Sequence, residues 1–464
     1  MRKMTRWIFT VVLALSILPN EARTESLDIN GYLLNQFTAG AGKTEFGKDT
    51  LLQLNPKFQL RFFKRISPRA DFLSIIDFDY FFIGETIDKG QNILLSNPDN
   101  SEALDQMFEF QPEHTLKTSI KEAIINLYLG NVNLSLGKKI IRWGASDMFG
   151  PNDKISPRDE YRMFIKQEED IYQGVYALDV IYNSKYFNLE FVGMPDFSYV
   201  KLPLPGSIWG GEMPGEILGM PIRKMTLEVE LPARKFKNFE SAVKFSANIW
   251  KTDLSLYYFN IFERRPLFRN RINMNTQEII TGVLFKKTNA LGLSIEKTFG
   301  SIPIRFDLNY VFKQPFVKNP DSLPLNGWIE DEIVKKNVLT ISVGSDFEIL
   351  KSSDLRLYME FYNSTIFSYQ KGLTQYLIPV YRNDSRLFLK LEDQYMDEHL
   401  KVGVSGLFFL SDGGKIIMPN IVYNFSEGLN FEIGANIFMG GGANSMIHFY
   451  ENNDDIFCRI KYSF

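Results

Sequence analysis

Apolar and polar residues alternate one by one along most of the chain, which has 464 residues. The clearest example is the segment 302–312, where apolar or aromatic side chains at every second position alternate with Arg305, Asp307 and Asn309. A period of two places successive side chains on opposite faces of a β-strand. The pattern therefore predicts strands with one apolar face and one polar, often charged, face.

The connections between these strands alternate between tight turns and long polar loops. Gly130–Asn131 and Gly300–Ser301 are tight turns, and the short connection Asp412–Gly414 is the single exception on the long-loop side. Such alternation predicts antiparallel neighbours with one trimmed rim and one elaborated rim. We count about 18 strands, within a range of about 16 to 18, and an even number places both termini on the short-turn rim.

Two of the long connections carry further expectations. The section 200–239 is rich in proline and glycine, yet its fragment 225–232 (MTLEVELP) fits a short strand. A loop at 264–275 precedes what the pattern predicts to be one long strand that ends near Thr298.

Three features favour a membrane barrel over a secreted sandwich. The strands run about 10 to 14 residues, longer than the usual 5 to 6 and close to what a tilted spanning strand needs. Their charged face could not be buried unpaired in a dry core, whereas a water-filled lumen accepts it. An open sheet edge in hydrocarbon would leave backbone groups without partners, so the sheet must close.

The third feature is the last segment, 456–464 (IFCRIKYSF), which ends on the aromatic Phe464. It resembles the terminal signal of Gram-negative outer-membrane proteins. The resemblance implies that the barrel-assembly machinery is a partner, and that outer-membrane lipid and lipopolysaccharide surround the chain. The predicted fold class is all-β, a transmembrane antiparallel β-barrel with short periplasmic turns and long external loops, in the outer membrane of a Gram-negative (diderm) bacterium.

The first residues predict export. Arg2, Lys3 and Arg6 precede an apolar run from Trp7 to Leu18, which is typical of a secretory signal. This run has about a dozen residues against the roughly 20 that a spanning helix needs. We assign residues 1–24 to the signal, with a loosely placed cleavage site, and residues 25–464 to one barrel domain.

Charge and composition exclude several function classes. A formal net charge of -3 gives no basic footprint for nucleic acid. The single cysteine, Cys458, cannot form an internal disulfide, and three histidines are too few for the usual zinc sites. The aspartate-rich loops lack the ordered spacing of a calcium loop, and no nucleophile with an ordered base is visible. We expect no enzyme activity, no metal and no cofactor.

The run 137–144 (GKKIIRWG), followed by Asp147, Pro151, Asp153 and Pro157, resembles a porin-like outer-membrane family of unknown function, akin to alginate-export barrels. The segment 230–260 is similar to the following strand pair of that family. The resemblance implies a large single-chain barrel with a channel or exporter role, and no catalytic residues.

The connection that follows Lys139 is the third on the long-loop rim, the position at which general porins fold a loop inward. Its charges alternate in sign and could line a constriction, where opposed charges order water and select polar solutes. Alternatively, they pair with one another and the loop braces the wall; both interpretations stay open. The candidate pore and constriction residues are Arg61, Asp77, Lys139, Arg142, Trp143, Asp147, Asp153, Arg158, Asp159, Arg305, Asp307, Arg356 and Glu360.

The function that this pattern favours is a channel for small polar solutes, with anionic solutes as one option because many lysines and arginines face inward. A surface receptor or adhesin that displays the long loops, above all 200–239, is an alternative. An exporter of a polymer or an apolar compound is another, and Tyr358, Tyr362 and Phe388 would supply its aromatic lining.

Overall fold

The computed structural model describes residues 27–40, 52–83, 93–94, 107, 115–160, 168–202, 216–217, 220–221, 224–320, 327–349, 354–375, 378–441, 445–451 and 453–464. The predicted signal, 1–24, lies outside these ranges and stays a prediction. The strands of the barrel all lie inside them.

Eighteen long strands form one antiparallel sheet. They are β1 (Asp28–Gly40), β2 (Leu52–Ser67), β3 (Ala70–Ile83), β4 (Thr115–Leu129), β5 (Val132–Lys139), β6 (Val175–Asn183), β7 (Asn188–Met194), β8 (Glu240–Ile249), β9 (Thr252–Phe262), β10 (Lys287–Phe299), β11 (Ile302–Lys318), β12 (Glu332–Glu348), β13 (Arg356–Ile366), β14 (Asn383–Tyr395), β15 (Leu400–Phe409), β16 (Lys415–Asn424), β17 (Leu429–Met439) and β18 (Asp455–Ser463).

The sheet closes on itself because β1 pairs with both β2 and β18. In the closing ladder Tyr32 lies opposite Ser463 and Gly40 lies opposite Asp455. The backbone N–H of Gly31 also donates to the carbonyl of Phe464 at 3.0 Å, and the reverse bond has the same length. A closed 18-stranded antiparallel barrel is thus confirmed, at the upper end of the expected count.

The predicted asymmetry of the two rims is also confirmed. Short turns at one rim join pairs such as β4 and β5, where Gly130 has a φ of +65° that a side chain would disfavour. The connections at the other rim are all long, except for the short one at 410–414. Longer loops are typical of the external rim of outer-membrane barrels, and short turns of the periplasmic one.

The two faces of each strand differ as the alternation predicts. On β11, Ile304 and Phe312 are 40% and 39% exposed, whereas Asp307 and Asn309 are 0% and 2% exposed. Leu33 on β1 and Leu256 on β9 add to an outer belt of exposed apolar side chains. An apolar belt of this extent around a closed sheet is the lipid-facing surface of an outer-membrane barrel.

Within the described part of the chain, no helix is both long enough and apolar enough to cross a membrane.

A second, smaller sheet is built from the long loops. Its strands are Trp328–Glu330, Leu267–Asn273, Glu278–Leu284, Lys224–Glu230 and Ile93–Leu94, in that spatial order. Lys224–Glu230 confirms the short strand expected in MTLEVELP, and it pairs in parallel with Glu278–Leu284. A core that includes Val229, Val283 and Phe285 fills one side of this sheet.

One predicted strand is divided. The single long strand expected to end near Thr298 is two strands, Glu278–Leu284 and β10, separated by Phe285 and Lys286. The first belongs to the small sheet and the second to the barrel. The break occurs because Phe285 is buried in the core of the small sheet, so the chain must leave one sheet before it joins the other.

Candidate functional site

The third long connection, 140–174, contacts the inner face of the barrel at several places. It leaves β5 after Lys139 and turns at Gly144, whose φ is +117°. A Cβ at this position would also lie 2.9 Å from Oδ2 of Asp307, so glycine suits both the turn and the close approach. We call this connection loop 3.

Apolar side chains attach the beginning of loop 3 to one part of the wall. Ile141, Trp143 and Ile155 are 4%, 4% and 1% exposed and share a core with inner side chains of β6 to β13. The Trp143 ring lies 5.6 Å from the rings of both Tyr257 and Phe259. Its indole N–H donates to Glu190 at 3.1 Å, so the polar end of the side chain is also satisfied.

Two buried wall carboxylates bind the backbone of the next segment, 145–149. Asp307 on β11 accepts from the N–H groups of Ala145 at 3.1 Å and Ser146 at 2.9 Å. Glu360 on β13 accepts from the N–H groups of 147, 148 and 149 at 3.1, 2.8 and 3.0 Å. Hydrogen bonds to an ionised acceptor are stronger than those between neutral groups. These five bonds hold the segment against the wall opposite β5.

Asn152 fastens the same turn to β10 and β11. Its side-chain amide donates to the carbonyl of Leu293 at 3.2 Å and to Asp307 at 3.3 Å, and its carbonyl accepts from Asn309 at 3.1 Å. The space comes from Gly292, where a Cβ would lie 2.2 Å from the Asn152 side-chain oxygen. Asn152 is 0% exposed, so the loop and the wall are in direct contact here.

The far end of loop 3 is attached by charge. Asp170 accepts from Lys57 at 2.7 Å, from Lys121 at 2.9 Å and from the Tyr32 hydroxyl at 3.0 Å. These partners lie on β2, β4 and β1. Burial alone would raise the pKa of Asp170, but the two ammonium groups outweigh it and hold that pKa well below its ordinary value.

Between these attachments, two guanidinium groups gather around Tyr172. The Cζ atoms of Arg142 and Arg158 lie 4.1 and 5.2 Å from the centre of its ring, and both groups approach Oδ2 of Asp153, at 3.3 and 3.9 Å. The Arg142 and Arg158 side chains are 42% and 33% exposed, whereas that of Asp153 is 4% exposed. Burial raises the pKa of Asp153 and raises that of Tyr172 to about 12. We call Arg142, Arg158, Asp153 and Tyr172 the arginine cluster.

The structure distributes the other predicted site residues over several places. Asp147 pairs with Arg305 at 3.1 Å, and Asp159 pairs with Lys201 at 3.2 Å. Asp77 pairs with Lys57 at 3.1 Å, beside the attachment of Asp170. The remaining three lie on the barrel wall: Lys139 binds Asp179, Arg356 pairs with Glu348, and Arg61 is exposed.

Several residues of this site have no signal in the sequence that singles them out. Asn152 and Tyr172 are single polar and aromatic residues in a loop that is full of both. Asp170 is one of three consecutive acidic residues, and only the approach of Lys57 and Lys121 distinguishes it. A search for charge pairs between a loop and the inner wall positions could have found Asp170, but not the other two.

Two of the three aromatic side chains predicted to line an apolar export path lie close to loop 3. The Tyr362 ring lies 5.1 Å from that of Phe149, and Phe388 packs in a core that Met148 and Phe149 also contact. Tyr358 lies beside Lys390, whose ammonium group is 5.3 Å from its ring. Within the described ranges, no group of three or more acidic, histidine or cysteine side chains is placed to hold a metal ion.

No family model and no curated protein matches the chain, so the resemblance to alginate-export barrels stays a prediction. Solved structures that are similar include Pseudomonas aeruginosa OccK9 (OpdG), with 9% identity, a TM-score of 0.49 and coverage of 94% of this chain and 98% of that one. Acinetobacter baumannii OccAB3 has 10% identity and a TM-score of 0.49, with coverage of 95% of this chain and 99% of that one. Salmonella typhi OmpF in complex with daunomycin has 9% identity and a TM-score of 0.42, with coverage of 94% of this chain and 97% of that one. The barrel assignment rests on the strand pairing of the chain itself.

Proposed function

We propose that the chain is a porin-like channel of the outer membrane through which small polar solutes pass, and that loop 3 narrows the lumen. The observation that carries this proposal is the attachment of loop 3 to wall strands on both sides of its own strands, β5 and β6. Asp307 and Glu360 bind one end of the loop, and Lys57 and Lys121 bind the other. If loop 3 is fixed in this way, a solute that crosses the barrel has to pass through the part of the lumen beside the loop.

Within the arginine cluster, the exposed side chains are the positively charged ones. Arg142 and Arg158 are partly exposed, while the one carboxylate between them, Asp153, is buried and has a raised pKa. Fixed charges in a narrow, water-filled passage change the local concentration of mobile ions. We therefore expect anions to pass more readily than cations of the same size.

The size of this effect follows from Coulomb's law. At about 7 Å in bulk water, one unit charge changes the energy of a passing monovalent ion by about 0.6 kcal/mol, before salt screening. Removing both arginine charges should thus change the preference for anions several-fold. The low permittivity of the protein beside the passage would increase this value, and high salt would reduce it.

The test is the reversal potential of single channels in planar bilayers under a salt gradient. The double variant Arg142→Gln, Arg158→Gln should shift the reversal potential toward cations and alter the conductance. A matched control is Arg234→Gln, which removes an exposed arginine paired with Asp196 at the outer rim. The proposal fails if the unmodified protein gives no conductance above background, or if the double variant and the control behave alike.

A surface receptor remains the second candidate, because the long loops form a sheet with its own core. That sheet includes Lys224–Glu230 from the section 200–239. If display of these loops is the main role, trimming 200–239 should abolish cell binding and leave conductance intact. If the trimmed protein keeps both cell binding and conductance, the channel function is favoured over the receptor function.

Assembly is proposed to depend on the last strand. The backbone of Phe464 pairs with Gly31 at the closing seam, and its ring stacks on Phe58 at 6.2 Å. Deletion of Phe464 should lower the amount of folded barrel in the membrane. A heat-modifiable shift in gel mobility measures that amount, and an unchanged yield would contradict the proposed contact with the assembly machinery.

A further inference from the structure

A group of cationic side chains lies at the external rim, outside the lumen. Lys235 and Lys237 belong to the segment that leads into β8, and Lys286 directly precedes β10. All three line one cleft of about 410 Å³, together with Leu231 and one carboxylate, Glu230. We call these three lysines and Phe236 the rim patch.

The rim patch carries charge that the described residues around it do not neutralise. Arg234, which lies beside it, is occupied by Asp196, whose two oxygens accept from Nε at 3.0 Å and from Nη2 at 2.6 Å. Lys235, Lys237 and Lys286 have no ion pair with any residue that the structure describes. The side chains that line the cleft comprise three lysines and the single carboxylate of Glu230, a formal excess of two positive charges.

The side chains on the outer faces of β8 to β10 show where the rim patch lies relative to the membrane. Phe245 and Leu291 belong to the exposed apolar belt. Nearer the external rim, Asn289 accepts from the Tyr258 hydroxyl at 3.0 Å and from the Asn260 amide at 2.7 Å. Polar pairs on the outer face mark the edge of the apolar belt, because lipid tails offer them no partners.

An exposed aromatic side chain stands at this edge. Phe239 packs over Gly193, on the outer face, and Phe236 stacks on Phe239 with ring centres 6.1 Å apart. Phe236 is 92% exposed, although an aromatic ring in water is unfavourable. Aromatic rings are enriched at the level of membrane headgroups, where one side is apolar and the other is wet.

We infer that the rim patch binds the phosphate-bearing headgroup of a lipid in the external leaflet. The three lysines contact the phosphate, and Phe236 inserts at the boundary between headgroups and acyl chains. Charge complementarity supports this occupant, because basic pockets at the membrane surface bind anionic headgroups. The inference does not depend on what passes through the lumen.

The test uses the full-length barrel purified in detergent and the lipid A that copurifies with it or is added back. Native mass spectrometry counts bound lipid for the unmodified protein and for the triple variant Lys235→Gln, Lys237→Gln, Lys286→Gln. Lipid retention should fall at least about tenfold in the variant. The matched control removes three other exposed lysines of the same rim, Lys313, Lys371 and Lys415, and should retain lipid normally.

Two further arms identify the chemistry. Dephosphorylated lipid A should bind weakly to the unmodified protein, and Phe236→Ser should reduce retention of lipid A while leaving the three charges in place. The inference is overturned if the triple variant and its control retain lipid A equally. It is also overturned if the unmodified protein retains dephosphorylated lipid A as well as it retains lipid A, or if it binds inorganic phosphate and retains no lipid A.

Discussion

The replacement Glu360→Ala gives the most direct test of how loop 3 is held. The Glu360 carboxylate is 4% exposed and accepts three backbone N–H bonds from 147–149. A hydrogen bond to a charged group contributes about 1.5 kcal/mol or more, so three contribute about 4.5 kcal/mol. Water in the lumen can replace part of this, and we take about 2 kcal/mol as the loss. That loss corresponds to a roughly 30-fold rise in the open population of the segment.

Hydrogen exchange measured by mass spectrometry reports this opening. The decisive amides are those of Ala145 and Ser146, because they bind Asp307 and not Glu360. If 145–149 is held as one unit, their exchange should accelerate by about the same factor. The control is Glu392→Ala, which removes an inner carboxylate of β14 that pairs with Lys390.

Single-channel recordings supply an independent readout, because a loosened loop should add noise to the open-channel current. A variant that folds normally, with faster exchange only at the amides of 147–149, would contradict a cooperative attachment of 145–149. Each carboxylate would then act on its own partners, and the segment would not be a cooperative attachment. Equal effects of Glu360→Ala and the Glu392 control would refute it as well.

Two further predictions concern the other attachments. The pKa of Asp170 is held below its ordinary value, so its stabilising effect is fully present above about pH 4 and disappears as the pH falls through the lowered pKa. Hydrogen exchange at 168–172 should therefore rise at strongly acidic pH. The variant Asp170→Asn should raise this exchange at neutral pH and remove its acid dependence. Gly292→Ala should displace Asn152 and change the conductance, since the added Cβ would lie 2.2 Å from the amide oxygen, whereas Gly344→Ala, with its nearest neighbour at 3.5 Å, should leave the conductance unchanged.

Most of the barrel could be predicted because each spanning strand obeys a local rule. Alternation fixes which side chains of β11 face outward, and turn length fixes the rim at which each connection lies. The small sheet follows no such rule. Lys224–Glu230 pairs in parallel with Glu278–Leu284, across about fifty residues of intervening chain that includes β8 and β9. A period of two identifies strands but does not state which sheet they join, and for this reason it does not predict the break at Phe285.

The candidate site shows the same limit at the level of single residues. Alternation places Asp307 and Glu360 on the inner face, as it does Arg61 and Arg305. It does not tell which of them water will reach. Asp307 is 0% exposed because Ala145, Ser146 and Asn152 cover it, and this depends on contacts between residues 155 to 162 positions apart.

The way loop 3 is attached separates holding from selecting. The wall carboxylates of Asp307 and Glu360 bind backbone N–H groups, which every residue except proline provides, so these five hydrogen bonds do not depend on which side chains 145–149 carry. Of those side chains, Met148 and Phe149 pack against the wall, whereas Asp147 is 68% exposed. If the proposed channel function is correct, we expect substitutions at exposed positions of the loop to change the ion preference without loosening the loop. Substitutions of the buried wall carboxylates should instead alter the position of the loop and leave the charges of the loop unchanged.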